Sequence, residues 1–202
     1  MTPYYEHGGI TIYHGDCREV LPELPTFDLL LTDPPYGIGI AANPVRQAHE
    51  RSDWDNERPA RATIGLCLSM AQHQIVWGGN YFGLPPSQCF LVWDKGQPQD
   101  FSLAMCEQAW TNLKMPAKLF RKSVLSYRKK HPTEKPVELM RWCIERAGPV
   151  HSVVDPFAGS GPVGEAAKSL GMTATLIETN ESFCEIAAKR LEQEVLPLEQ
   201  PA

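Results

Sequence analysis

Residues 152–180 read SVVDPFAGSGPVGEAAKSLGMTATLIETN, and this run decides the fold. SVVD is β-branched and strand-like, and it ends in an acid. The loop after it offers Gly159 and Gly161 before a segment that opens with Pro162 and closes on Gly171, the order expected at the two ends of a helix. TATLIETN is a second strand, and ESFCEIAAKRLEQEV (181–195) has the spacing of a second helix. Strands that alternate with helices imply a mostly parallel central sheet with helices on both faces.

Outward from this unit the same alternation continues. KPVELMRWCIERAG (135–148) predicts an amphipathic helix, with Pro136 at its start and Gly148 at its stop. ITIYHGD (10–16), HQIVWGGNYF (73–82) and CFLVWDKG (89–96) read as strands. CREVLPEL (17–24) reads as a short helix and ARATIGLCLSMAQ (60–72) as a longer one. AMCEQAWTNL and AKLFRKSVL, within 101–125, look strand-like. Residues 37–59 are polar, punctuated by Gly and Pro and without period, so a long loop is expected there. The last seven residues, LPLEQPA, read as a frayed tail. At 202 residues the chain is most simply one domain with a sizeable core.

Composition narrows the function classes. Hydrophobic residues make up 43% and charged residues 21%, as in an ordinary globular protein. No apolar run reaches the length of a membrane span, and MTPYYEHGG has no basic start followed by an apolar core. A cytoplasmic location, away from membranes, is expected. The six cysteines are scattered without a C-x-x-C pair, which suits small buried residues in a reducing compartment and argues against a metal site. The net charge of −5 hides an asymmetry. Between Lys114 and Lys135 eight basic residues meet a single acid, Glu134. A local basic patch on an acidic body is compatible with phosphate binding.

A second stretch, FDLLLTDPPYG (27–37), carries chemistry. Leu29, Leu30, Leu31 and Thr32 suit a strand buried on both faces. Pro34 and Pro35 have no N–H to continue a ladder, so the strand stops and displays Asp33 and Tyr36 at its carboxyl end. In open α/β sheets that edge binds ligands. If the strands ending at Asp33 and Asp155 are neighbours with opposite connections, both motifs face one crevice.

The loop after Asp155 is no phosphate cradle. The G-x-x-x-x-G-K-[ST] pattern is absent, and Asp155 would repel a phosphate but suit a ligand ammonium. Glu178, at the next strand's end, is placed to hold ribose hydroxyls. An adenosine ligand with an ammonium in place of a diphosphate fits S-adenosylmethionine.

TDPPY together with DPFAGSG resembles the amino-group DNA methyltransferases, which modify the exocyclic nitrogen of adenine or cytosine. HPTEKP (131–136), YHGDC (13–17) and ETNESFCEIAAKRL (178–191) resemble further segments of that family. The order, TDPPY before DPFAGSG, is that of the circularly permuted β group, so a Rossmann-like methyltransferase fold is implied. By this resemblance Asp33 and the Pro34 carbonyl accept hydrogen bonds from the target amino group, Pro35 stiffens the tetrad, and Tyr36 stacks on a base flipped from double-stranded DNA. The cofactor site implied comprises Asp155, Pro156, Phe157, Gly159, Ser160 and Gly161, with Glu178 and Thr179 at the ribose. Asp16 and Cys17 are implied beside the adenine, and Thr133 and Lys135 at the methionine carboxylate. DNA contacts are expected from Lys118, Arg121, Lys122, Arg128, Lys129 and Lys130, and from Arg46 and Arg51 of the loop 37–59.

The sequence departs from the family in one respect. Only the basic segment near 111–130 stands where a full target-recognition domain is usual, which implies a short recognition sequence, low specificity or a partner. Pro162 stands where a threonine is often found, and it suits a helix start. The leading aspartate of the tetrad favours adenine N6. Cytosine N4, an RNA amino group and a catalytically retired nucleic-acid-binding module stay open as alternatives. A dinucleotide oxidoreductase is disfavoured by the missing G-x-G-x-x-G. The small size suggests a phage or prophage modification enzyme.

Overall fold

Leu29, Leu30 and Leu31 are all wholly buried, because their strand carries packed side chains on both faces. The computed structural model describes residues 1–37, 58–98, 104–124 and 134–192. Among these residues the strands are β1 (Tyr5–His7), β2 (Ile10–His14), β3 (Phe27–Thr32), β4 (Ala71–Trp77), β5 (Phe90–Asp94), β6 (Cys106–Thr111), β7 (Lys118–Arg121), β8 (Ser152–Asp155) and β9 (Thr173–Glu178). The helices are α1 (Cys17–Val20), α2 (Arg61–Ser69), α3 (Val137–Ala147), α4 (Pro162–Ser169) and α5 (Glu181–Glu192). The strands form one sheet in the order β1-β2-β9-β8-β3-β4-β6-β5-β7. From β2 to β4 neighbouring strands run parallel, whereas β6 is antiparallel to both β4 and β5.

Two apolar layers cover the sheet. On one face Leu29, Leu31 and Ile75 meet Leu139 and Ile144 of α3, Ala166 of α4 and Ala187 of α5. On the other, Leu30, Val76 and Val154 meet Val20 of α1 and Ile64 and Cys67 of α2. The α/β architecture with helices on both faces therefore follows from the unbroken apolar run of β3.

β3 and β8 lie side by side and parallel, with Leu30 opposite Val154. Asp28 fixes this register: its carboxylate accepts the N–H groups of His151 and Ser152 at 2.8 and 3.0 Å, and its own N–H reaches Ser152 Oγ at 2.9 Å. From β8 the chain crosses through α4 to β9 on one side. From β3 it returns through α2 to β4 on the other. The crevice above β3 and β8 is thus a topological switch point, the ligand-binding position of open α/β sheets.

Three local features depart from expectation. β1 was not foreseen; YEH is too short and polar to show a period, and it pairs antiparallel as an edge. The segment 17–24 forms only four α-helical residues before Pro22 turns it into a 3-10 turn. Cys106 is exposed, while the other five cysteines are buried. Most of the expected loop 37–59, residues 38–57, lies outside the described residues, as does the tail. Among the described residues no helix is long and apolar enough to cross a membrane.

Candidate active site

β3 ends at Thr32, and the two prolines that follow carry Asp33 and Tyr36 to the mouth of a cavity of about 530 Å³. Both groups of sequence motifs line it: Asp33, Pro34, Pro35 and Tyr36 from the end of β3, and Asp155, Phe157, Gly159 and Ser160 after β8. Glu178, the last residue of β9, and Thr179 after it complete the wall on that side. The motifs are joined directly, since Thr32 Oγ1 donates to Asp155 Oδ1 at 2.7 Å.

The Tyr36 hydroxyl donates to Asp33 Oδ1 at 2.6 Å. Its ring stacks on Tyr81, with centroids 4.9 Å apart and planes 17° from parallel. Asp33 Oδ2 accepts from the buried Lys135 ammonium, which also lies 3.2 Å from the Tyr36 hydroxyl and 3.2 Å from Glu107 Oε2. Burial pushes the Asp33 carboxyl upward, Glu107 adds to this, and Lys135 opposes it. Burial works against the Lys135 charge, but Asp33 and Glu107 outweigh it and hold its pKa above the ordinary value. Tyr36 is raised well above the usual phenol range, first by burial and then by Asp33.

On the opposite wall, burial raises Asp155 to about 7, against the Thr32 hydroxyl and the Phe157 N–H. Glu178 is also raised by burial; its oxygens accept the N–H groups of Gly159 and Asn180, each at 2.8 Å. A carboxylate has lone pairs left after two such bonds, so Glu178 can still accept ligand hydroxyls. At Gly159, with φ +51°, no atom lies within 4 Å of where a Cβ would stand. That open space beside two acids suits a cationic nucleoside better than a diphosphate.

Not every expected residue faces the cavity. Asp16 caps α1, accepting the Arg18 N–H at 2.8 Å, and pairs with the Arg18 guanidinium at 2.5 Å. It stands at the same sheet edge one strand beyond Glu178, with Gly15 N–H bonded to the Glu178 carbonyl at 2.9 Å, but it does not line the cavity. Cys17 is buried in the α1–α2 layer. Pro156 and Gly161 shape the loop without lining the cavity, Gly161 packing against Ala187. Thr133 lies outside the described residues.

The expected basic patch is also redistributed. Lys135 is not on the surface at all; it is buried against Asp33. Arg121 pairs with Asp94 at 2.8 Å and Lys122 with Glu138 at 2.9 Å, which leaves their charges locally compensated. Lys118 is exposed on β7. Arg46, Arg51, Arg128, Lys129 and Lys130 lie outside the described residues.

Sequence reasoning missed Tyr81, Lys95 and Glu107, which all line the cavity. Lys95 had a signal: it directly follows β5, at the edge where ligands bind. Glu107 had none. It lies near the start of β6, and only the antiparallel direction of that strand brings its beginning to the same edge.

A mostly parallel sheet with a glycine loop and paired acids at its switch point defines a Rossmann-like methyltransferase fold of the S-adenosylmethionine-dependent class. Solved structures share it. The M1.HpyAVI–S-adenosylmethionine complex has a TM-score of 0.63 at 23% identity, covering 91% of this chain and 100% of that one. The cytosine-N4-specific PvuII DNA methyltransferase has a TM-score of 0.65 at 15% identity, covering 96% and 90%. A family model described as DNA methylase, of the N6/N4 methyltransferase type, matches residues 71–189. The type II methyltransferase M2.LlaDCHI of Lactococcus lactis subsp. cremoris is 37% identical over 252 positions, covering 94% of this chain and 91% of that protein. M.ScaI of Streptomyces caespitosus is 25% identical over 264 positions, covering 97% and 86%. This chain belongs to the N6/N4 DNA methylase family. Both alignments are longer than its 202 residues, so these two relatives carry internal segments that it lacks.

Proposed function

We propose that the protein transfers a methyl group from S-adenosylmethionine to the exocyclic N6 amino group of adenine in double-stranded DNA. The observation that carries this reading is the convergence of Asp33 and Tyr36 with Asp155, Gly159 and Glu178 on one cavity. The cofactor is S-adenosylmethionine, which supplies an electrophilic methyl group on a sulfonium. Asp155, Phe157, Gly159, Ser160, Glu178 and Thr179 would hold it, Asp155 being suited to its ammonium and Glu178 to its ribose hydroxyls.

Asp33 and the Pro34 carbonyl accept the two N–H bonds of the target amino group. The amino lone pair is otherwise delocalised into the base, and holding both N–H bonds frees it to attack in line. The N–C bond forms as the sulfur–methyl bond breaks, S-adenosylhomocysteine leaves as the neutral thioether, and one amino proton passes to solvent. Positioning of this kind and a dry, preorganised acceptor account for most of the acceleration. Tyr36 stacks on the flipped base, backed by Tyr81. The aspartate at the head of the tetrad supports adenine over cytosine. The TDPPY-before-DPFAGSG order is read as the permuted β arrangement. Lys118, with Arg128, Lys129 and Lys130 further along the chain, meets the phosphates. With so little chain given to target recognition, the enzyme reads a short sequence, acts with little specificity or borrows specificity from a partner. A phage or prophage modification role, in the cytoplasm, fits that economy, and a cognate nuclease encoded beside it would sink this part.

The test is transfer of labelled methyl from S-adenosylmethionine to unmethylated duplex DNA, with Asp33→Ala in parallel and the nucleosides resolved by mass. N6-methyladenine from the wild type alone is expected. N4-methylcytosine would overturn the choice of base, and transfer by Asp33→Ala would overturn the role of Asp33.

A further inference from the structure

The cavity wall beside Asp33 carries a row of alternating charges that the chemistry above leaves unused. Lys95 Nζ lies 2.5 Å from Glu107 Oε1. Glu107 Oε2 lies 3.2 Å from Lys135 Nζ, and Lys135 pairs in turn with Asp33. The two lysine side chains are 9% and 4% exposed, while Glu107 and Asp33 face the cavity at 27% and 29%. Burying an ammonium costs several kcal/mol unless it is paired with good geometry. One such cation, Lys135, is shared between carboxylates brought in by two different strands, β3 and β6.

We propose that Glu107 is a positioning residue of the methyl-transfer site: it shares the Lys135 ammonium with Asp33 and so sets how tightly Asp33 is held when the target amino group arrives. The proposal rests on Asp33 being the acceptor of that amino group. An ammonium has three donors and no acceptor. With Glu107 ionised, Lys135 divides its donors between two carboxylates, and Lys95 compensates the remaining charge on Glu107. Without the Glu107 charge, Lys135 turns wholly to Asp33, and the incoming amino group must compete with an undivided ion pair.

The groups facing this row are Asp33 and Tyr36 after β3, Lys95 after β5, Glu107 on β6, Lys135 before α3, Asp155 after β8 and the Cys143 thiol of α3. Burial opposes the Glu107 charge, but Lys135 and Lys95 outweigh it and bring this carboxyl down to about 2. Glu107 is therefore ionised throughout the working range, and its charge presses the Asp33 carboxyl upward. Removing the charge lowers Asp33. Removing Lys95 frees Glu107 to draw Lys135 away, and raises it.

The experiment measures single-turnover transfer from labelled S-adenosylmethionine to unmethylated duplex DNA between about pH 5 and about pH 9, with cofactor affinity measured separately. Glu107→Gln is expected to lower the plateau rate about tenfold or more and to move the acid limb to lower pH, with cofactor affinity within about twofold of wild type. Lys95→Met is expected to move the acid limb the other way, and it carries the test alone if Glu107→Gln does not fold. Glu107→Asp keeps the charge, so it is expected to leave the limb in place and recover part of the rate. A lower rate with unshifted limbs in both variants would make the row structural only and overturn the proposal, as would an unchanged rate in Glu107→Gln. If Asp33→Ala transfers as the wild type does, the reading of Asp33 fails and the proposal falls with it. If Asp33→Ala is inactive while Glu107→Gln and Lys95→Met behave as wild type, only the proposal fails.

Discussion

Gly78 lies against the ring of Tyr36: a Cβ at position 78 would stand 2.2 Å from Tyr36 Cε1. Gly78 also has φ +64°, at the turn that joins β4 to the short helix bearing Tyr81. One residue without a side chain thus lets Tyr36 settle and delivers the ring that stacks on it.

Gly78→Ala therefore acts twice. Left-handed backbone in a residue with a Cβ costs roughly 1–2 kcal/mol, and the ring of Tyr36 must move. We expect methyl transfer to fall about tenfold or more while S-adenosylmethionine affinity stays within about twofold, because the cofactor wall is untouched. Equilibrium binding beside single-turnover transfer separates the two; a parallel loss of both would place the damage elsewhere.

Gly159→Ala should do the opposite. Its φ of +51° again costs roughly 1–2 kcal/mol. The new methyl meets no protein atom and projects into space assigned to the cofactor. Modest destabilisation in urea, with cofactor affinity down about tenfold or more, is the expected pair of results. Unchanged affinity would mean that the cofactor does not approach this loop.

Asp155 should make cofactor binding depend on pH. Its folded value of about 7 lies above its ordinary 3.8, so the fold favours the protonated carboxyl. That contribution to stability is fully present below about pH 4 and lost as pH rises through about 7, an effect on the order of 4 kcal/mol. Asp33 and Glu178 are shifted in the same direction. A ligand ammonium favours the ionised form instead, so S-adenosylmethionine affinity should climb between about pH 5 and about pH 7 and then level off. Asp155→Asn should flatten that climb and weaken binding. A climb that survives the substitution belongs to another group.

Arg190 is buried on α5 and pairs with Glu134 at 2.6 Å and Glu165 at 3.1 Å, its side chain and that of Glu134 being 3% and 4% exposed. Removing the guanidinium breaks a buried ion pair from one side, which typically costs about 3–5 kcal/mol. Arg190→Ala should lower the urea midpoint accordingly without changing the slope of the transition. Arg190→Lys should recover only part of it, since an ammonium cannot reach both acids as a planar fork does. A midpoint within experimental error of wild type would show that this network adds no stability.

The residues that sequence reasoning placed well are those whose position follows from a local pattern. Leu29 to Thr32 are buried because an unbroken apolar run suits a strand covered on both faces, and Asp33 and Asp155 meet because neighbouring strand ends in a doubly wound sheet share an edge. The spacing of apolar residues located α2, α3 and α5, and the Pro162 and Gly171 end signals located α4. What stayed hidden depends on long-range pairing. Lys135 sits in a basic stretch and was assigned to a cofactor carboxylate; its partners are a tetrad aspartate about a hundred residues earlier and a glutamate on β6. Glu107 has no local mark, because the insertion of an antiparallel strand between β4 and β5 leaves no trace in the periodicity of CEQAWT. The resemblance implies Asp16 beside the adenine; in the structure it caps α1.

The hydrogen bond from Thr32 to Asp155 spans 123 positions of chain. During synthesis the TDPPY segment leaves the ribosome long before the strand that must lie beside it. β3 can pair with β4 and pack Leu30 against α1 and α2 early. Its β8 neighbour and the α3–α5 layer over Leu29 and Leu31 come only with the C-terminal third of the chain, and only then does the wall opposite Asp33 exist. The wall that carries Asp155 and Glu178 is therefore the last part of the cavity to be made, so a chain interrupted before β8 carries every residue of the tetrad and no crevice in which to use it.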